Sequence, residues 1–209
     1  MWVGLYQLKS ALWAYGLYHV LCLVPPIVWG RALWLPTFVR PSVRDCVLIV
    51  VAAILFSAAA VVAYELVGNI LLSSEHVPIL LKEQGITHEL FLFFAFYATV
   101  VNPLVEELFW RGVVLNVLDR VGNRSKYFGI TCSSVLYALF HYLIFRLVLY
   151  PGYAEMGTLL LAGYGALMAW IYRKSGSIIT TAMAHGLLTD LACVVLLIHY
   201  FQKFGIPYL

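Results

Sequence analysis

The run Asn102-Pro103-Leu104-Val105-Glu106-Glu107-Leu108-Phe109-Trp110-Arg111-Gly112 sets two carboxylates and a guanidinium inside a long apolar stretch. Its flanks, 90–97 upstream and 113–115 downstream, read as membrane-embedded helix. A charged side chain near the bilayer centre costs about 2.5–3.5 kcal/mol on insertion scales, so three charges this close together need a use. Spacing explains part of them. Glu107 and Arg111 lie four apart, on one helix face, with the acid N-terminal to the base, the better order for a pair. Glu106 points about 100° away round the helix and has no local cation. Such a carboxylate is either one member of an ion-pair cluster locking helices together, or a general base held in a low-dielectric pocket.

Partners for Glu106 must come from elsewhere. His141 and His185 both sit in apolar runs, and Thr189 and Asp190 follow the second. Together they suit a base that activates water, with imidazoles that hold the water and stabilise an oxyanion. Two histidines with one or two glutamates also suit zinc, but His-Glu-x-x-His is absent. His76 and His88 each have a carboxylate neighbour, yet loop placement makes a metal site there the weaker reading. His19 stands alone and reads as a helix-packing or interfacial residue.

The elements that carry these groups are spans. The 209 residues are 63% hydrophobic and 11% charged, with mean hydropathy +0.92, against about 25% charged in soluble domains. The pattern predicts an all-α polytopic membrane helix bundle, one transmembrane domain over 1–209, with no room for a soluble domain. Cys22, Cys46, Cys132 and Cys193 are scattered without a C-x-x-C and read as small buried hydrophobes. Six spans are expected at about 11–29, 46–72, 90–118, 127–150, 156–172 and 177–200. The first is read as a retained span rather than a signal peptide. Segment 73–89 is the most polar and is expected to be a loop with an amphipathic turn. Pro103 is expected to kink the third element, because it removes a backbone hydrogen bond just before Glu106.

Counting Lys and Arg between spans puts Arg31, Arg40, Arg44, Arg120, Arg124, Lys126, Arg173 and Lys174 on one side and Lys9, Lys82 and Lys203 on the other. The positive-inside rule makes the first side cytoplasmic and both termini non-cytoplasmic. The acceptor Asn123-Arg124-Ser125 is discounted for that reason. By helical rise, Glu106 and His141 lie about 20 Å and His185 about 14 Å from the cytoplasmic end. The three can therefore share a depth.

Glu106-Glu107-x-x-x-Arg111, then Tyr137-x-x-x-His141, then His185 on a later span, resemble the ordered motifs of the CPBP family of intramembrane proteases, the relatives of Rce1-type CAAX prenyl endopeptidases, also called Abi proteins. The resemblance covers about 103–191. It implies that Glu106 activates water, that Glu107 and Arg111 hold the site, and that His141 and His185 assist the water and bind the oxyanion. Two positions depart from the pattern. Tyr137 stands where phenylalanine is usual. Thr189 stands where asparagine or aspartate is usual, with Asp190 following. Thr189 shares a face with His185 and could donate to the oxyanion. Asp190 could orient His185 but needs a local bulge to reach it.

The expected activity is metal-independent hydrolysis of a peptide bond in a membrane-associated or lipid-anchored protein or peptide, within the lipid bilayer. No cofactor and no nucleic-acid partner are expected, and the expected location is the bacterial inner membrane. The alternative is a catalytically inactive membrane scaffold or bacteriocin-immunity protein of the same fold. A transporter or proton relay is disfavoured by the lack of repeats and of a continuous polar path.

Overall fold

The computed structural model describes residues 1–73, 76–121 and 127–205. Glu75 and the acceptor Asn123-Arg124-Ser125 lie outside the described residues. The fold is all-α, and six helices are long and apolar enough to cross a membrane: α1 Ala11–Trp29, α2 Val43–Leu71, α3 Glu89–Val121, α4 Phe128–Val148, α5 Tyr153–Ser175 and α6 Ile178–Lys203.

Their starts follow local chemistry. Ser10, Ser42 and Ser177 each accept the backbone N–H three residues on, from Trp13, Asp45 and Thr180, satisfying an N–H that the first turn leaves open. The α5–α6 turn passes through Gly176 at φ +65°, a left-handed conformation that glycine adopts without Cβ strain.

Helix α3 is the centre of the bundle and packs against α1, α4, α5 and α6. Helix α2 runs along α6 and turns Ile54, Leu55 and Leu66 outward, as a lipid-facing span does. At the end carrying Arg40 and Arg173, Ser177 Oγ donates to the Val39 carbonyl at 2.6 Å and Arg173 pairs with Asp119. At the other end Glu65 pairs with Lys203 and His199, and Lys9 with Glu83. The charge asymmetry read from the sequence is thus a separation between the two ends of the bundle.

Segment 73–89 holds more structure than the expected loop. His76–Glu83 is a helix, and Val77 on it packs with Phe91, Tyr200 and Phe201 into a buried cluster. His76 Nε2 donates to the Leu147 carbonyl at 2.8 Å. The apolar residues between the charges are what fold it down, because the cluster gives them a face to cover.

Two of the long helices, α3 and α6, contain π-helical turns beside the buried charged residues. They occupy Tyr97–Val101 and Leu108–Leu115 in α3 and Gly186–Asp190 in α6. The first ends just before Asn102-Pro103. Pro103 has no N–H to give and its ring crowds the carbonyl four residues back, which is Thr99. Gly186 of α6 sits against that carbonyl: a Cβ on it would overlap Thr99 O and lie 3.1 Å from Pro103 Cγ. Proline on α3 and glycine on α6 together allow the two backbones to meet beside Glu106.

Candidate active site

The site begins with an ion pair. Arg111 Nη1 donates to Glu107 Oε1 at 2.8 Å, and Nη2 donates to the Gly165 carbonyl of α5 at 3.0 Å. Both side chains are fully buried. The guanidinium also lies 4.9 Å from the Tyr137 ring centre. Gly165 permits this closeness, since a Cβ there would stand 3.1 Å from Ser134 Cβ and 3.3 Å from Tyr137 Cδ1.

Glu107 Oε1 accepts a second hydrogen bond, from His185 Nδ1 at 2.8 Å. A carboxylate can only accept, so the hydrogen is on Nδ1 and Nε2 is the nitrogen left to work. Three groups surround Nε2: the Tyr137 hydroxyl at 3.3 Å, Asp190 Oδ2 at 3.8 Å and Glu106 Oε2 at 3.9 Å. The orienting contact that the sequence offered to Asp190 is therefore made by Glu107, from α3.

Asp190 does reach the same space. Five residues along an α-helix is about 140° round; the π turn Gly186–Asp190 has an i→i+5 repeat and returns Asp190 to the face of His185. Thr189 is nearby but occupied. Its hydroxyl donates to the His185 carbonyl at 2.8 Å, and Tyr164 contributes its own hydroxyl to Thr189 Oγ1 at 3.1 Å.

His141 is the expected member that stands apart. Its Nδ1 donates to the Tyr137 carbonyl at 2.8 Å, and its ring centre is 4.4 Å from that of Tyr137. It makes no ion pair with any carboxylate among the described residues. Tyr137 lies between it and His185.

Glu106 itself is 2% exposed, and its Oε2 has no hydrogen-bond partner. Other unpaired polar atoms face the same region. The Tyr18 hydroxyl looks onto Glu106 and Trp110 without closing a hydrogen bond. His19 Nε2 faces Asn102, and Asn102 faces Asp190. Tyr18 Oη, His19 Nε2, Asn102 Oδ1, Trp110 Nε1 and Asp190 Oδ2 are all buried and unpartnered. A buried polar group left unpaired costs about 1–3 kcal/mol, so several converging on one carboxylate mark a place arranged for a polar reactant.

Sequence reasoning gave no site role to Tyr18, Asn102 or Trp110, and read His19 as a helix-packing or interfacial residue. Asn102 and Trp110 had a visible signal, since they stand four residues either side of Glu106 and so share its face. Tyr18 and His19 had none, because α1 reaches α3 only through the tertiary fold. Chemically, the arrangement sets a free carboxylate oxygen beside an imidazole nitrogen whose ring is held by a second carboxylate and an arginine. That is the disposition of a base with a positioned electrophilic or proton-handling partner. Among the described residues no group of three or more His, Cys, Asp or Glu side chains is placed to hold a metal ion.

Residues 88–189 match the family model described as type II CAAX prenyl endopeptidase, Rce1-like. No curated protein and no solved structure matches the chain. The matched stretch contains Glu106, Glu107, Arg111, His141, His185 and Thr189, ends one residue short of Asp190, and leaves α1 and α2 outside. It lies on helices long and apolar enough to span a bilayer, which with this match marks the protein as an integral membrane protein. Through residues 88–189 the chain is similar to the Rce1-like type II CAAX prenyl endopeptidase family.

Proposed function

We propose that the protein is an intramembrane endopeptidase that cleaves a peptide bond of a membrane-associated or lipid-anchored protein or peptide with a water activated by Glu106. The observation that carries this reading is the division of labour between adjacent carboxylates. Glu107 holds both Arg111 and His185 through Oε1, with its Oε2 buried and unpartnered, whereas Glu106 makes no bond to the arginine and sets its own unpartnered Oε2 3.9 Å from His185 Nε2. A structural ion-pair cluster has no need of that second acid.

In the proposed reaction Glu106 takes a proton from water and the hydroxide adds to the scissile carbonyl carbon. His185 Nε2, its ring fixed through Nδ1 by Glu107, steers the water and the tetrahedral intermediate. The intermediate collapses, the carbon–nitrogen bond breaks, and the proton held on Glu106 passes to the departing nitrogen. Burial keeps competing water away and strengthens each electrostatic contact. The scheme requires no metal ion. Asp190 completes the polar wall beside His185; Tyr137 sets the spacing between His185 and His141.

The family description directs the choice of probe. Purified full-length protein in liposomes is expected to release the terminal tripeptide from an internally quenched peptide ending in a farnesylated Cys-a-a-X. Folded protein that leaves this peptide whole contradicts the prenyl-anchored substrate class.

A further inference from the structure

The departure at Thr189 raises the question of which group meets the oxygen that becomes negative when hydroxide adds to the carbonyl. Thr189 has one hydroxyl hydrogen, and it is given to the His185 carbonyl at 2.8 Å. Asp190, as a carboxylate, can only accept. The Tyr137 hydroxyl is engaged with His185 Nε2 at 3.3 Å. Trp110 has a free N–H, but it is opposed to the Tyr18 hydroxyl on the α1 side of Glu106. On the side where His185 and Asp190 stand, one neutral donor is left.

That donor is Asn102. It lies one turn before Glu106 on the same face of α3 and is 8% exposed. Its amide faces Asp190 of α6, and its Oδ1, without a hydrogen-bond partner, faces His19 of α1. An amide has two N–H donors; one can be steadied by Asp190 while the other stays available. His19 is fixed from its far side, with Nδ1 on the Tyr15 carbonyl at 2.9 Å. With the ring hydrogen on Nδ1, its Nε2 is an acceptor set toward the Oδ1 acceptor and gives Asn102 no hydrogen bond.

We propose that the side-chain amide of Asn102 donates the hydrogen bond that holds the scissile carbonyl oxygen, in place of a group at position 189. The inference rests on the peptidase reading above. As hydroxide adds to carbon, the carbonyl π pair moves onto oxygen and the Asn102 N–H bond to it strengthens. No bond to Asn102 forms or breaks. On collapse the pair returns to the carbonyl, the carbon–nitrogen bond breaks, and the amine leaves with the proton from Glu106.

The test uses the full chain in liposomes and the farnesylated quenched peptide. Asn102→Ala is expected to lower kcat by about 10²–10³, the usual loss for one oxyanion donor, with KM and the thermal unfolding midpoint close to wild type. Adding Thr189→Asn to Asn102→Ala returns an amide to the His185 turn and is expected to recover at least about tenfold of that loss. Asn102→Ala with kcat within about threefold of wild type overturns the inference, as does a loss that Thr189→Asn leaves unrepaired. Glu106→Gln is run in parallel. If Glu106→Gln keeps its turnover, the peptidase reading fails; if it is inert and Asn102→Ala is active, this inference alone fails.

Discussion

Gly186→Ala puts the α3–α6 junction under direct strain. The added Cβ would overlap the Thr99 carbonyl oxygen and stand 3.1 Å from Pro103 Cγ. Neither neighbour can swing aside, since one is backbone and the other a ring closed onto backbone. Restoring an ordinary carbon–oxygen separation requires the helices to part by about 1 Å, and a misplacement of that size can cost about 10²-fold in rate. His185 precedes Gly186 directly, so the parting opens the 3.9 Å gap to Glu106. Overpacking of a tight interior typically costs about 1–3 kcal/mol. Gly163→Ala on α5 is the control, because its Cβ would meet nothing within 4 Å and alanine is the better helix former. Thermal unfolding in detergent and kcat on the farnesylated peptide are measured for both. A Gly186→Ala protein with the stability and turnover of Gly163→Ala would refute the claim that this glycine lets the site close.

Glu107→Ala leaves Arg111 buried with the Gly165 carbonyl as its remaining partner, and breaking such a pair costs about 3–5 kcal/mol; it is expected to lower the unfolding midpoint more than Glu106→Ala, and equal midpoints would contradict the division drawn between the two acids. Reporter fusions after Arg173 are expected to read cytoplasm and fusions at the C-terminus the opposite side, following the charge separation between the bundle ends; a cytoplasmic C-terminus would reverse the proposed orientation.

Much of the architecture was legible because hydropathy and length dictate spans. The first was read at its observed bounds, and α2 to α6 differ by a few residues at their ends, where caps and frayed turns decide. The Glu107–Arg111 pair was legible as an i, i+4 pair. Its third member was not: His185 is 78 residues away, and no local spacing announces it. Depth along the membrane put His141 level with Glu106, but depth carries no azimuth, and the structure turns its Nδ1 to the Tyr137 carbonyl. The bulge that brings Asp190 to His185 was legible only as a requirement. A π turn arises where side-chain and packing contacts outweigh the local preference for α-helix, and here those contacts come from α3. His19 looked like a lone packing histidine because the amide it faces, Asn102, is brought to it by the fold.

The account stands on Glu106 as the group that activates water. The most direct measurement is single-turnover cleavage of the farnesylated quenched peptide by wild type, Glu106→Gln and Glu107→Gln in liposomes, with the fold of each checked by thermal unfolding. Glu106→Gln keeps the size of the side chain and removes the basic oxygen, so it is expected to fold like wild type and lose turnover by at least about 10²–10⁴, the range for a general base. Glu107→Gln is expected to retain measurable turnover and to lose stability. A folded Glu106→Gln protein that cleaves at the wild-type rate would contradict the account.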